Sequence, residues 1–224
     1  MMDCTIIYCT SNRENFEFEQ RIKNNILKNC GSIPIISVSQ KPINFGKNIC
    51  VGEVGVSGFN FFRQVQIACE ETKTQYVIST EADCLYPPDY FTIIPSMIED
   101  VCWRNKNLYV MGQHRAYYWK KEEGATHAQI TSKDLYLKRL TELFKGAPKW
   151  SVEERNFPKE RWHKEDIFDK HIQFYETVNP VVQIKTSHSM RHYTNSDRLR
   201  RDSILYWGDG VKFRRKYYDV GRRH

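Results

Sequence analysis

No apolar run in this 224-residue chain is longer than a few residues; Ile6-Ile7-Tyr8-Cys9 is typical, so nothing reads as a bilayer-spanning helix. The seven cysteines (Cys4, Cys9, Cys30, Cys50, Cys69, Cys84, Cys102) include no Cys-x-x-Cys pair, which argues against a zinc ribbon or a thioredoxin-type redox site. Scattered through apolar or small-residue contexts, they are expected to be buried free thiols in a reducing compartment. No Gly-x-x-x-x-Gly-Lys-Ser/Thr is present, which excludes a Walker-type NTPase. Internal repeats, low-complexity stretches and obvious linkers are also lacking. The opening Met1-Met2-Asp3-Cys4 has no basic region leading into an apolar stretch. The expectation is therefore a cytoplasmic protein without a signal peptide.

What is present suits one substantial folded domain. Apolar residues make up 40% of the chain and charged residues 27%, and 13 Tyr, 12 Phe and 5 Trp exclude a disordered polymer. The net charge is +7, and the segment from Arg198 to His224 carries +6 of it. Arg198, Arg200, Arg201, Lys212, Arg214, Arg215 and Lys216 are thus candidate polyanion contacts. Tyr206, Trp207, Phe213, Tyr217 and Tyr218 interleave with them, so the segment is expected to dock on the body. A solvated, solubilising tail is the alternative.

Residues 5–10 read as a buried strand, with Ser11 or Asn12 as helix cap and Glu14 as an acid in the first turn. Phe18, Ile22 and Ile26 give the next helix one apolar stripe, and Gly31 closes it. A second strand over residues 33–39 makes a parallel, right-handed strand–helix–strand unit. Residues 40–58 read as loop. A second helix begins near Ser57, with Phe62, Val65 and Cys69 on one side and Asn60, Arg63 and Gln64 on another. Residues 76–80 form a third strand running directly into Glu81-Ala82-Asp83. A fourth strand is expected at 108–112, a helix at 135–144 and a late strand at 181–185. The fold class is α/β: a single mixed, mostly parallel Rossmann-like sheet flanked by helices, over residues 1–197, with 198–224 as a basic aromatic extension packed on it.

Ligands of open α/β sheets sit beyond the carboxyl ends of the strands, so Thr10-Ser11-Asn12 and Thr80-Glu81-Ala82-Asp83 are the first candidates. Acid-x-acid at a strand end brings two carboxylates to one side, and hard oxygen ligands suit Mg²⁺ or Mn²⁺. A solvated turn is the bland reading of the same pattern.

The longer stretch Glu81-Ala82-Asp83-Cys84-Leu85-Tyr86-Pro87-Pro88-Asp89-Tyr90-Phe91 resembles the acid-rich motif of GT-A-fold glycosyltransferases. Residues 36–50 (ISVSQKPINFGKNIC) and 58–64 (GFNFFRQ) resemble a family-two-like group found largely in phage and environmental sequences. That group usually has Glu-Asp-Asp at the end of strand three, and Ala82 replaces the middle acid here. The resemblance implies that Asp83 binds the metal, with His188, in the late Lys185-Thr186-Ser187-His188, as a second ligand. It implies donor-nucleotide contacts from Thr10, Asn12, Asn60, Arg63, Gln64 and Glu81. Arg63 has another reading, as an ion-pair partner of Glu70 or Glu71, although both lie about two helical turns away.

Trp162-His163-Lys164-Glu165-Asp166-Ile167 resembles the Glu-Asp pair opening a helix in inverting GT-A enzymes, which implies Asp166, or else Glu165, as the base on the acceptor hydroxyl. Glu153 and Glu154 are rivals, and an acid pair at a helix start has a purely structural reading. His192, four residues after His188, is a weaker ligand candidate. Tyr206-Trp207-Gly208 resembles a stretch near the group's C-terminus that is expected to cover the loaded site.

The expected function is transfer of a sugar from a nucleoside diphosphate sugar, UDP-linked by preference, with Mn²⁺ or Mg²⁺. The favoured acceptor is a 5-hydroxymethyl pyrimidine in DNA, held by the basic segment on its phosphates, in a phage protein acting in the host cytoplasm. Rival acceptors are a saccharide, a lipid-linked sugar or a protein. The rival classes are a non-catalytic nucleic-acid-binding α/β module and a nucleotidyltransferase.

Overall fold

The computed structural model describes residues 3–92, 100–153, 167–190 and 195–219. β1 (Cys4–Thr10), α1 (Phe16–Asn29) and β2 (Ile35–Ser39) form the expected parallel unit. Then come β3 (Lys47–Cys50), α2 (Gly58–Glu71) and β4 (Tyr76–Glu81). The central chain continues through β5 (Cys84–Leu85), β6 (Cys102–Asn105), β7 (Leu108–Gly112), β8 (Trp119–Lys120), β9 (Gln129–Ser132) and α3 (Lys133–Leu143). It finishes with β10 (Ile172–Tyr175), β11 (Val181–Lys185), the hairpin β12 (Ser203–Ile204) and β13 (Gly208–Asp209), and α4 (Gly210–Tyr217).

Seven strands build the main sheet in the order β3-β2-β1-β4-β9-β6-β10. Only β9 runs against its neighbours, pairing antiparallel with both β4 and β6. β1 is buried along its whole length, as a central parallel strand covered on both faces must be. Its side chains alternate between two cores. Ile6 and Tyr8 join Phe18, Ile22 and Ile26 of α1 on one face; Ile7 and Cys9 join Phe59, Phe62 and Val65 of α2 and Leu140 of α3 on the other.

A second sheet, β5-β11-β7-β8, continues the α1-side core. The strand expected at 108–112 therefore belongs to this second layer, paired parallel with the late strand β11.

Three local expectations change. The α1 cap is Asn15, whose side chain accepts from the Glu17 and Phe18 amides, so neither Ser11 nor Asn12 caps and Glu14 lies before the helix. Residues 40–58 contain β3, held to β2 by backbone pairing although its own side chains are largely exposed. Cys50 is exposed, while the other six thiols are buried and free. Burial raises those of Cys9, Cys69 and Cys84 well above the usual range, which leaves them inert.

The basic C-terminal segment is folded onto the body as far as Asp219. Trp207 and Phe213 are buried in the α1-side core, and the Trp207 Nε1–H donates to the Pro180 carbonyl at 2.6 Å. Arg21 of α1 donates to the Arg215 and Lys216 carbonyls at the end of α4, where the helix dipole is negative.

Candidate functional site

The strand order places β2 on one side of β1 and β4 on the other, which puts a topological switch point between β1 and β4. Their ends are aligned by register, Tyr8 opposite Thr80 and Cys9 opposite Glu81. Thr10-Ser11-Asn12 and Glu81-Ala82-Asp83 thus emerge side by side.

Asn12 adopts φ +55°, a left-handed conformation that Asn tolerates better than most residues. Its Oδ1 accepts from the Gln40 and Lys41 amides at 2.9 and 2.8 Å, tying the end of β1 to the end of β2. The Thr10 hydroxyl accepts from the Asn12 amide.

Asn60 and Gln64 are buried on the inner face of α2. The Asn60 amide donates to the Val54 and Gly55 carbonyls, and its Oδ1 accepts from the Ser151 amide. Gln64 Nε2 donates to the Thr10 and Val38 carbonyls. Both side chains therefore brace the loops around the crevice. Arg63 lies over the Phe144 ring at 3.8 Å and donates to Gln66 and to the Pro148 carbonyl. Its position joins α2 to the segment after α3, and Glu70 bears on it only electrostatically.

Asp83 occupies the turn between β4 and β5. Gln183 Nε2 donates to its Oδ2 at 3.0 Å, the Cys84 thiol faces its Oδ1 at 3.1 Å, and its carbonyl accepts from the Ile184 amide at 2.8 Å. The acidic turn is thus clamped to β11. Tyr86 fixes it from below: its hydroxyl accepts from the Glu81 amide and donates to the His127 carbonyl, both at 2.9 Å. Burial and the Asp83 charge push the Glu81 carboxyl up to about 8.

Glu14 joins this group, which sequence reasoning missed. Its carboxylate accepts from the Thr186 hydroxyl at 2.7 Å, and burial followed by Asp83 pushes it up to about 7 against that hydrogen bond. His188 lies on the same turn after β11; it is exposed and its amide donates to the Thr186 hydroxyl. Lys121 and Lys185 flank the acids, and both act electrostatically on Glu81. Nothing in the local sequence around these two lysines or Glu14 marks them, since tertiary topology alone brings them here.

Among the described residues, no three His, Cys, Asp or Glu side chains are grouped to hold a metal. Around Asp83 the donors are carboxylate oxygens, a chemistry that suits a hard divalent cation whose remaining ligands come from a bound anion. Asp166, Glu165, Glu154 and His192 lie outside the described residues.

The basic candidates divide into two sets. Arg200 pairs with Asp202, Arg201 with Asp197 through two hydrogen bonds, and Arg214 with Asp219. Lys212, Arg215 and Lys216 form an exposed i, i+3, i+4 stripe on α4. Arg198 sits at φ +54° and is exposed. Trp207 packs against Phe213 and Tyr217 and donates to the Pro180 carbonyl, which makes this residue of the stretch a core anchor.

No family model matches the chain, and no curated protein matches it. Solved structures do align with it. TarS of S. aureus superposes over 82% of this chain and 37% of its own length, with a TM-score of 0.51 at 10% identity. The fold is of the GT-A type. A glycosyltransferase involved in glycosylating the major capsid of PBCV-1 aligns over 80% of this chain and 92% of its own, with TM-score 0.45 and 13% identity. The mannosyltransferase PcManGT from Pyrobaculum calidifontis, in complex with GDP-Man and Mn²⁺, covers 85% of this chain and 58% of its own, with TM-score 0.45 and 13% identity. At such identities the likeness concerns the GT-A fold alone. Within that fold, the acid pair sits where an open α/β sheet binds its ligand.

Proposed function

We propose that this protein is a glycosyltransferase that takes a sugar from a nucleoside diphosphate sugar, UDP-linked by preference, to an acceptor hydroxyl. The observation that carries the reading is the Glu81-Ala82-Asp83 turn, fixed by Gln183 and Tyr86 at the switch point beside Thr10–Asn12. Asp83, with His188, would hold Mn²⁺ or Mg²⁺, which offsets the charge growing on the leaving diphosphate.

Thr10 and Asn12 line the nucleotide side, and Asn60, Arg63 and Gln64 keep that crevice in shape. Asp166, or Glu165 in its place, takes the acceptor hydroxyl proton as the new C–O bond forms at the anomeric carbon. The bond to the diphosphate breaks in line with it, inverting that carbon. For the acceptor we favour a 5-hydroxymethyl pyrimidine in DNA, of phage type. Support comes from the exposed stripe Lys212, Arg215 and Lys216, for backbone phosphates.

Thermal shift with UDP, GDP, CMP and UDP-sugars, each with and without Mn²⁺, tests the donor. Ligand at a hundred times its dissociation constant adds about 2.7 kcal/mol, a readily measured shift. A Mn²⁺-dependent shift with one nucleotide, lost in Asp83→Ala, is the expected result. Absence of any nucleotide shift overturns the reading in favour of a nucleic-acid-binding module.

A further inference from the structure

We propose that Lys121 and Lys185 are a diphosphate-binding pair, one ammonium for each phosphate of the donor. The proposal rests on the nucleoside diphosphate reading above and adds to it the groups that recognise the second phosphate.

The register of the second sheet supplies the geometry. Gln183 lies opposite Val110 on one side and Cys84 on the other, and Lys185 lies opposite Gly112. Val110 faces Trp119, and the Lys121 amide donates to the Leu108 carbonyl, so Lys121 takes the next place on that face. Cross-strand partners share a face of the sheet. Cys84, Gln183, Lys185 and Lys121 are therefore on one side, and Gln183 hydrogen-bonds Asp83 from it. Both lysines are half-buried there.

Neither ammonium has a hydrogen bond or ion pair with any described residue, although Glu81 and Asp83 are near enough to act on Lys121 through their charge. Two half-buried cations that repel each other and have no fixed counter-ion among the described residues are costly. His127, buried beside them, is held neutral by burial and by these same two charges, and its Nε2 has no partner. The Gln183 Oε1 is likewise unpartnered. A merely structural role, neutralising Glu81, would close a contact between carboxylate and ammonium, and none is formed. An anion with two adjacent charged groups answers the arrangement. Lysine, a compact charge with three donors, is suited to phosphate oxygens.

Titration calorimetry in Mn²⁺ on the wild type, Lys121→Met, Lys185→Met and the two Lys→Arg variants tests this, with UDP, UMP and inorganic pyrophosphate as probes. Each Met variant is expected to lose about tenfold or more in affinity for UDP and for pyrophosphate. UMP affinity should fall only in the variant whose lysine meets the phosphate that UMP keeps and stay within about twofold in the other, which also verifies folding, and Arg should restore part of the loss. Unchanged UDP and pyrophosphate affinities, or equal losses for UDP and UMP in both Met variants, overturn the pair while leaving the donor reading intact. A wild type that takes pyrophosphate through these lysines but binds no nucleotide overturns the donor reading and keeps the pair. A wild type that binds none of the three overturns both.

Discussion

Tyr86 shows how much of the site depends on single hydroxyl and carboxyl groups. Its oxygen joins the Glu81 amide to the His127 carbonyl within a fully buried setting. Tyr86→Phe leaves a buried N–H and C=O unpaired, and we expect denaturant unfolding to record a loss of about 1–3 kcal/mol with an unchanged m value. Glu14 makes a pH prediction. It ionises near 4.5 when unfolded and near 7 when folded, so between those values the folded chain binds the proton more tightly. Stability contributed by its protonated form is whole below the lower value and declines as pH rises through the window. In chelator, the wild-type melting temperature should fall more steeply between about pH 4.5 and pH 7 than that of Glu14→Gln; parallel curves would refute the shift. Glu14 shows the limit of local reading: its role needs Thr186, 172 positions away, and a helix whose cap, Asn15, lies three residues beyond Asn12 and four beyond Ser11. Asp83, by contrast, was legible, because a β-branched run ending in acids signals a strand end wherever the chain then goes.

Among the elements, those with strong periodicity could be read directly. β1, α1, β2, α2, β4 and β11 owe their form to apolar spacing that no tertiary contact needs to supply. β3, β6, β9 and β10 were not legible. Each has only four residues, several of them polar, and becomes a strand because a neighbour offers a ladder edge. α4 carries charge on one side and Phe213 on the other, and that phenylalanine is buried against Tyr118, Trp207 and Tyr217. If the basic segment is part of the cooperative core, Phe213→Ala should lower global stability by about 3–5 kcal/mol in one transition. A loosely tethered tail would leave the unfolding curve where it was. Gly210 enforces the same docking: a Cβ there would stand 2.2 Å from the Ala116 carbonyl oxygen, so Gly210→Ala should displace the helix and lower the melting temperature.

Taken whole, the molecule confines its positive surplus to one end of the chain, while Glu14, Glu81 and Asp83 gather at the switch point. Three of the seven basic candidates already have carboxylate partners, so the polyanion contacts should come from the stripe that has none among the described residues. Reversing Lys212, Arg215 and Lys216 to Glu should weaken DNA binding across sequences and reduce the slope of log affinity against log salt by about 1 per contact. Reversing Asp202 should not. The distance along the chain between Asp83 and Gln183 has a further meaning during synthesis. A hundred residues separate the carboxylate from the amide that orients it. At ribosomal speeds that gap lasts about 5–20 s, during which the acidic turn has been made but its clamp has not. A nascent chain holding both strands of the switch point, β1 and β4, would remain without a finished acidic turn until β11 clears the exit tunnel.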